Sequence, residues 1–322
     1  MKNIAVTTIF PKRKKMKLEL FLFIYLILAI APQIYAYNVE QGQEVHQYIT
    51  NESKETWKLM PTEVKQYLKN PLNRTTGFNF DQGDDLIDGS REEDALLRFL
   101  YHFWQPDDPK NGKYNDGLTI ILDSSWERAK MLWKTKVIPN YLKGNVNESY
   151  YYLGRVAHLL EDAAQPSHVH LDAHGGLGLG GNSILEDYTG SNFSRLRNTA
   201  NWQGKNFNLY YYEYLIDNFN WSKVEPKDKE FMELFRLFWY TAQKTQYWAS
   251  DDVNGNTVYT NLNGNTQNWQ CSGSGNLNLW KDFNYTSCNN FTNDHNNLNL
   301  NTVDQEANAT IPHAMKGGYH EI

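Results

Sequence analysis

The chain has 322 residues, 40% of them hydrophobic and 14% aromatic, with a net charge of −6. That length and aromatic content exclude disorder over most of the chain and allow one large domain with a substantial core. The acidic balance excludes binding of nucleic acid through a diffuse basic surface, so no stable nucleic-acid partner is expected.

In chain order, residues 1–36 come first and differ from the rest. Lys12 to Lys17 is basic, Leu20 to Ala31 is almost wholly apolar, and Ile34-Tyr35-Ala36 offers a small residue for cleavage. This order predicts a secretory signal and a secreted, extracellular or periplasmic, protein. The apolar run is about a dozen residues, short of the ~20 that span a bilayer. Cleavage after Ala36 would remove six Lys/Arg and one Glu, taking the net charge from −6 to −11.

Residues 37–250 place apolar and aromatic side chains at helical spacing. Examples are Trp126, Ala129, Leu132 and Trp133, then Tyr152, Val156, Leu159 and Leu160, then Phe231, Leu234, Phe235 and Phe238. Strand alternation is scarce there, which predicts a helical domain. Residues 251–303 turn abruptly to Asn, Gly, Thr and Ser, residues that favour turns. Two readings compete for them: a disordered tract, or an ordered loop or small β insert pinned by Trp269, Trp280, Phe283 and the pair Cys271 and Cys288. In an exported protein those cysteines would form a disulfide, with two free thiols as the alternative. Residues 304–322 read as a closing helix with Ile311 and Ala314 on one side. The expected fold class is therefore all-α, a single multi-helix domain with an Asn/Gly-rich irregular or small β insert near the C-terminus.

Six of the nine histidines lie between His46 and His174, four of them between His158 and His174. On a helix, His158 and Asp162 share a face with about 5–6 Å between their Cβ atoms, a spacing that suits two ligands of one metal. Pro166 would end that helix, letting His168 return to the same place from another direction. Glu186 can add a carboxylate after the glycine-rich Gly175–Gly181 loop. His170, alternating with His168, is expected to point away as a surface residue. Upstream, Asp94 and His102 would lie ~12 Å apart along a straight helix, so sharing a metal requires the chain between them to bend. A processed N-terminus at Tyr37 would offer an amine and a carbonyl, with His46 nearby at the start of a helix.

The run Leu153-Gly-Arg-Val-Ala-His158-Leu-Leu-Glu-Asp162-Ala-Ala-Gln-Pro166-Ser-His168-Val resembles the central motif of the zinc-dependent phospholipase C family. The pattern DxxxPxH, with Gly180-Gly181-Asn182, is also similar to the related S1/P1 nucleases. The segment Glu92-Glu93-Asp94, Arg98 and His102-Phe-Trp-Gln-Pro106 looks like another segment of many bacterial members. Asp123 to Ala129 and Ile311 to Ala314 fit helices of that family. The likeness covers roughly 37–250 and 304–322 and leaves the Asn-rich insert outside.

The resemblance implies an all-α fold, up to three zinc ions and cleavage of phosphodiesters. It implies that Asp94, His102, His158 and Asp162 form a closely spaced site with a bridging carboxylate. His168, Glu186 and one more histidine would hold a second zinc, and Tyr37 with His46 a third that shares Asp162. Asn182 stands where the family usually has histidine, and His174 is the substitute. Asp88 is a second candidate for the place given to Asp94. Asp94 would also act in catalysis as ligand and general base. The expected substrate is a phospholipid or other phosphodiester, with peripheral contact to a membrane surface and a monomeric protein. Two alternatives stay open: a single-strand nuclease, and a metal-stabilised binding protein without activity.

Overall fold

Among the described residues, apolar side chains that recur every three or four positions lie on helices. The computed structural model describes residues 44–57, 85–94, 98–107, 123–172, 183–199, 229–260, 266–268 and 294–321. In order these form α1 (Val45–Trp57), α2 (Asp85–Glu93), a 3-10 turn (Arg98–Tyr101) and α3 (Ser125–Leu132). A π-helical turn (Trp133–Val137) joins α3 to α4 (Ile138–Lys143), followed by α5 (Val146–Asp162) and α6 (Pro166–Val169). Then come α7 (Ile184–Ser191), α8 (Phe193–Leu196), a 3-10 turn (Lys229–Phe231), α9 (Met232–Thr245), a 3-10 turn (His295–Asn297) and α10 (Leu300–Glu321). The protein is all-α, with one small β element.

That element is an antiparallel pair, β1 (Val258–Thr260) against β2 (Thr266–Asn268), with Val258 opposite Asn268. It lies in the Asn-rich stretch. Cys271, Cys288, Trp269, Trp280 and Phe283 lie outside the described residues, as does the segment 1–36. The closing helix begins at Leu300, four residues earlier than expected, because the Asn299 side chain accepts the Asn301 N–H at 3.0 Å and caps the first turn. Among the described residues no helix is long and apolar enough to cross a membrane.

The central helix is α5, whose last ten residues, Leu153 to Asp162, are all buried. A helix buried all round must be enclosed by others. On one side Trp126, Phe235 and Phe238 from α3 and α9 meet Trp104 and the apolar face of α5. Phe235 meets the Trp126 ring edge-on at 5.1 Å. On the other side Val45, Ile49, Leu185, Phe193, Val303 and Ile311 join α1, α7, α8 and α10. Ala163 belongs to the first cluster and Ala164 to the second, so the chain just after Asp162 passes between them.

Helices α2 and α5 make the most extensive helix pair, and glycine makes it close. A Cβ on Gly154 would stand 1.9 Å from the Leu86 carbonyl oxygen, and one on Gly89 1.8 Å from that of Tyr151. No side chain fits at either position, and the two backbones touch.

Inside α10, Glu306 is buried, and its Oε1 has no hydrogen-bond partner among the described residues. Burial, reinforced by the Asp251 carboxylate, raises its pKa well above the ordinary value. Below the unfolded pKa both states are protonated. Above it the unfolded chain ionises while the folded one keeps its proton, so stability falls as pH rises towards the folded pKa. Glu306→Gln, neutral and of equal shape, is expected to flatten that slope by about 1.4 kcal/mol per pH unit in this window. Urea unfolding of both proteins from pH 5 to 8 measures it, and parallel curves would contradict the assignment.

Candidate metal centre

Six segments deliver titratable side chains to one buried place. Helix α1 brings His46, the end of α2 brings Asp94, and the stretch after the first 3-10 turn brings His102. The last turns of α5 bring His158 and Asp162, α6 brings His168 and α7 brings Glu186. All seven are buried. Asp94 and His102 meet because α2 stops at Glu93 and the chain folds back through the 3-10 turn, placing His102 Nδ1 3.5 Å from Asp94 Oδ1. Helix α5 ends at Asp162, four residues before Pro166. Gln165 is extended, as the residue before proline prefers, and Pro166 then starts α6, which aims His168 back.

Asp162 is the hub. Its Oδ2 lies 3.0 Å from His102 Nδ1 and 3.4 Å from His158 Nε2. Its Oδ1 lies 3.5 Å from His46 Nε2 and from His168 Nδ1. His158 Nε2 is also 3.3 Å from Asp94 Oδ1, and His168 Nε2 is 3.4 Å from Glu186 Oε1. The His46 and His158 rings stack with centroids 3.7 Å apart. The remaining ring nitrogens of these two are occupied: His158 Nδ1 meets the Ser90 carbonyl at 2.6 Å, and His46 Nδ1 meets Glu161 Oε2 at 2.6 Å.

Two further carboxylates that the sequence reading passed over are fully buried beside the cluster. Glu93 pairs through Oε1 with Arg128 Nε at 3.0 Å and through Oε2 with Arg155 Nε, tying the end of α2 to α3 and α5 next to Asp94. Glu161 holds His46 on one oxygen and the Thr50 hydroxyl on the other, at 2.7 Å. The signals for both were weak: Glu93 sits inside an acidic run, and only Arg155, the one Arg or Lys in α5, hints at a buried carboxylate partner.

Asp88, the alternative to Asp94, lies apart with its carboxylate 3.1 Å from Arg91 Nη2. His170 is half-buried rather than on the surface, with Nε2 2.8 Å from the Trp248 carbonyl oxygen. Residues 166–169 are helical, so strand alternation does not apply there. Tyr37, His174 and Asn182 lie outside the described residues.

The electrostatics favour cations. Burial, followed by the charge of His158, holds His46 well below the ordinary histidine range; burial also lowers His102, with His158 and His168 adding to it. Both are neutral, the form that donates to a metal. Burial opposes the charged form of His158, but the Asp94 and Asp162 carboxylates override it and push it up to about 10. Asp162 is raised well above the carboxylate range by burial, against His158, with Asp94, Glu186 and Glu161 adding to it. His158 Nε2 and both oxygens of Asp94 and of Asp162 are buried without a hydrogen-bond partner among the described residues. Each such orphan costs about 1–3 kcal/mol, more when charged. Two groups, His46 with His158 and Asp162, and Asp94 with His102 and His158, have ligand atoms within 4.8 Å of one another. The residues therefore fit divalent cations, and imidazole with carboxylate is a donor set that suits zinc.

The fold and site together define an all-helical protein with a buried histidine–carboxylate centre able to bind metal. No protein-family profile and no curated protein matches the chain. Among solved structures it is similar to the alpha-toxin of Clostridium perfringens from avian strain SWCP, at 14% identity and a TM-score of 0.47. The likeness covers 86% of this chain and 61% of that one, so the chain spans about three fifths of that structure's length.

Proposed function

We propose that the protein is a zinc-dependent phosphodiester hydrolase that acts on phospholipid head-group esters in the manner of a phospholipase C, exported with Tyr37 as its new N-terminus. The observation that carries the reading is the convergence of His46, Asp94, His102, His158, Asp162, His168 and Glu186, with imidazole nitrogens facing carboxylate oxygens at 3.0–3.5 Å. His46 and His102, held neutral by burial, repel no cation, and two overlapping groups suit two or more ions.

In this reading Asp94, His102, His158 and Asp162 hold one zinc, His168 and Glu186 with His174 a second, and His46, Asp162 and Tyr37 a third. Zinc ions bound there would polarise a phosphoryl oxygen and lower the pKa of water. The chain's own residues do the rest. Asp94 takes up the proton of the attacking water on a carboxylate oxygen as general base. The apolar clusters on either side keep bulk water from the carboxylates, which strengthens their hold on cations. The substrate reaches the centre from a membrane surface touched peripherally.

The test is hydrolysis by the mature chain of a phosphocholine ester and of single-stranded DNA, each with and without chelator. The expected result is chelator-sensitive hydrolysis of the ester, with Asp94→Asn reducing it at least about 100-fold while the protein stays folded. Preference for DNA would favour a nuclease. Bound zinc with no hydrolysis of either would leave a metal-stabilised binding protein.

A further inference from the structure

We propose that Arg128 and Arg155, joined through Glu93, form an anion subsite beside the metal centre that binds a tetrahedral oxyanion, a phosphate or a phosphomonoester. It deepens the hydrolase reading by giving the phosphoryl group a partner in the chain itself. It needs no metal, so the subsite and the centre can fail separately.

Glu93 is fully enclosed, and each of its oxygens takes a different arginine. Oε1 lies 3.0 Å from Arg128 Nε, and Oε2 accepts from Arg155 Nε. An arginine is always charged and a carboxylate carries one negative charge at most, so the trio is positive whether or not Glu93 is ionised. That surplus stands in a chain whose net charge is −6. A buried carboxylate that needed only a counter-charge would be served by one guanidinium.

The donors lead to the same conclusion. In a fork, one guanidinium gives a carboxylate two parallel N–H bonds. Here each arginine gives Glu93 only its Nε, and the Nη nitrogens of both make no hydrogen bond among the described residues. Neither arginine is sealed in: the Arg128 side chain is 18% exposed and that of Arg155 9%, against 0% for Glu93. Each guanidinium also lies against a ring, Arg128 with Cζ 5.3 Å from the Tyr101 centroid and Arg155 with Cζ 5.7 Å from that of Tyr152. Carboxylate and ring together fix the orientation of both groups. Because both Nε atoms meet one carboxylate, the remaining donors lie side by side, carried on α3 and α5. Donors that arrive from two helices suit an acceptor with oxygens in three dimensions better than a flat carboxylate.

The subsite adjoins the centre on three sides. Arg128 meets Glu93, the residue before Asp94, and Tyr101, the residue before His102. Arg155 lies three residues before His158 on α5. The Ser125 N–H donates to the Phe103 carbonyl at 3.2 Å and so fixes the start of α3 against the residue after His102. Hydrolysis of a phosphodiester releases a phosphomonoester, which carries one more ionisable oxygen than the substrate. The surplus positive charge favours that product over the substrate.

The experiment is a calorimetric titration of the mature chain, in chelator, with inorganic phosphate and separately with phosphocholine, at an ionic strength held constant with chloride. The expected result is saturable binding of both to wild type, weakened about 10–100-fold in Arg128→Gln, the range for losing a hydrogen bond to a charged group. A rise in melting temperature on adding phosphate should be smaller in the variant. Arg128→Lys keeps a cation against Glu93 without the Nη donors. It carries the test if Arg128→Gln does not fold, with a smaller weakening expected.

Binding of phosphate but not of phosphocholine would support the subsite with free phosphate as its ligand, and binding of both supports the phosphomonoester. No saturable binding by wild type in chelator, or equal affinity in wild type and a folded variant, would overturn the subsite. Zinc content is measured on the same proteins. Phosphate binding by a chain that takes up no zinc would keep the subsite and overturn the reading of the centre, whereas phosphate bound only with zinc present would do the reverse.

Discussion

Asp162→Asn is expected to empty the centre of most of its metal and to lower phosphodiester hydrolysis at least about 10³-fold, a loss of ~4 kcal/mol in barrier lowering. Asp162 places two oxygens against four histidines, at 3.0–3.5 Å from His46, His102, His158 and His168. The asparagine keeps one acceptor and turns the other into an NH2 donor. That donor points at an imidazole nitrogen and occupies the position a cation needs. The fold should survive, because the carboxylate it removes is raised by burial and by its neighbours Asp94, Glu186 and Glu161. In chelator the variant is therefore expected to melt at or above the wild-type temperature, whereas in zinc it melts below it. Metal analysis, melting with and without chelator, and turnover measure the three parts. A variant with its full metal content would sink the assignment of Asp162 as the hub.

Gly154→Ala is expected to destabilise the protein by at least about 3 kcal/mol, at the upper end of what overpacking costs. The added methyl would lie 1.9 Å from the Leu86 carbonyl oxygen, 2.9 Å from its carbon and 2.9 Å from the Ser90 nitrogen. These are backbone atoms of α2, so no side chain can turn aside. The helices must separate, and the consequence reaches the centre. The Ser90 carbonyl aligns His158, and α2 ends at Glu93, immediately before Asp94. A protein that still folds should bind zinc more weakly as well as melt earlier. Gly144→Ala serves as the control for space alone, since nothing lies within 4 Å of a Cβ there, although its φ of 84° makes the substitution strained. Denaturant unfolding and zinc titration check both effects. Unchanged stability of Gly154→Ala would mean that α2 and α5 do not pack as described.

Several features of this arrangement can be read from the residues in order. Trp126, Ala129 and Leu132 repeat at helical spacing and are buried in α3. His158 and Asp162, four apart, do share one face of α5, and the proline after them does redirect the chain so that His168 returns. Such patterns are local: the 3.6-residue period and the proline ring act over a few residues whatever the rest of the chain does.

Other features could not be read that way. Asp94 and His102 would stand ~12 Å apart on a straight helix, and only the early end of α2 and the turn after it bring them to 3.5 Å. His170 is half-buried against the Trp248 carbonyl, a partner 78 residues away. Glu161 reads as a surface charge beside Asp162 until α1, 115 residues upstream, lays His46 and Thr50 against it. Glu93 likewise looks like one of a solvated acidic run, yet it is enclosed between arginines of α3 and α5.

By itself, then, the sequence determined that the chain is helical, where its core faces lie, and which short run carries the densest set of metal-binding residue types. Tertiary structure alone decided which of those side chains meet, which ring nitrogen each histidine presents, and which carboxylates hold ligands instead of being ligands. The physical reason is that helix formation depends on neighbours within a turn or two. A buried cluster of charges depends on distant segments closing together, and its orphaned donors and acceptors exist only once water has been excluded.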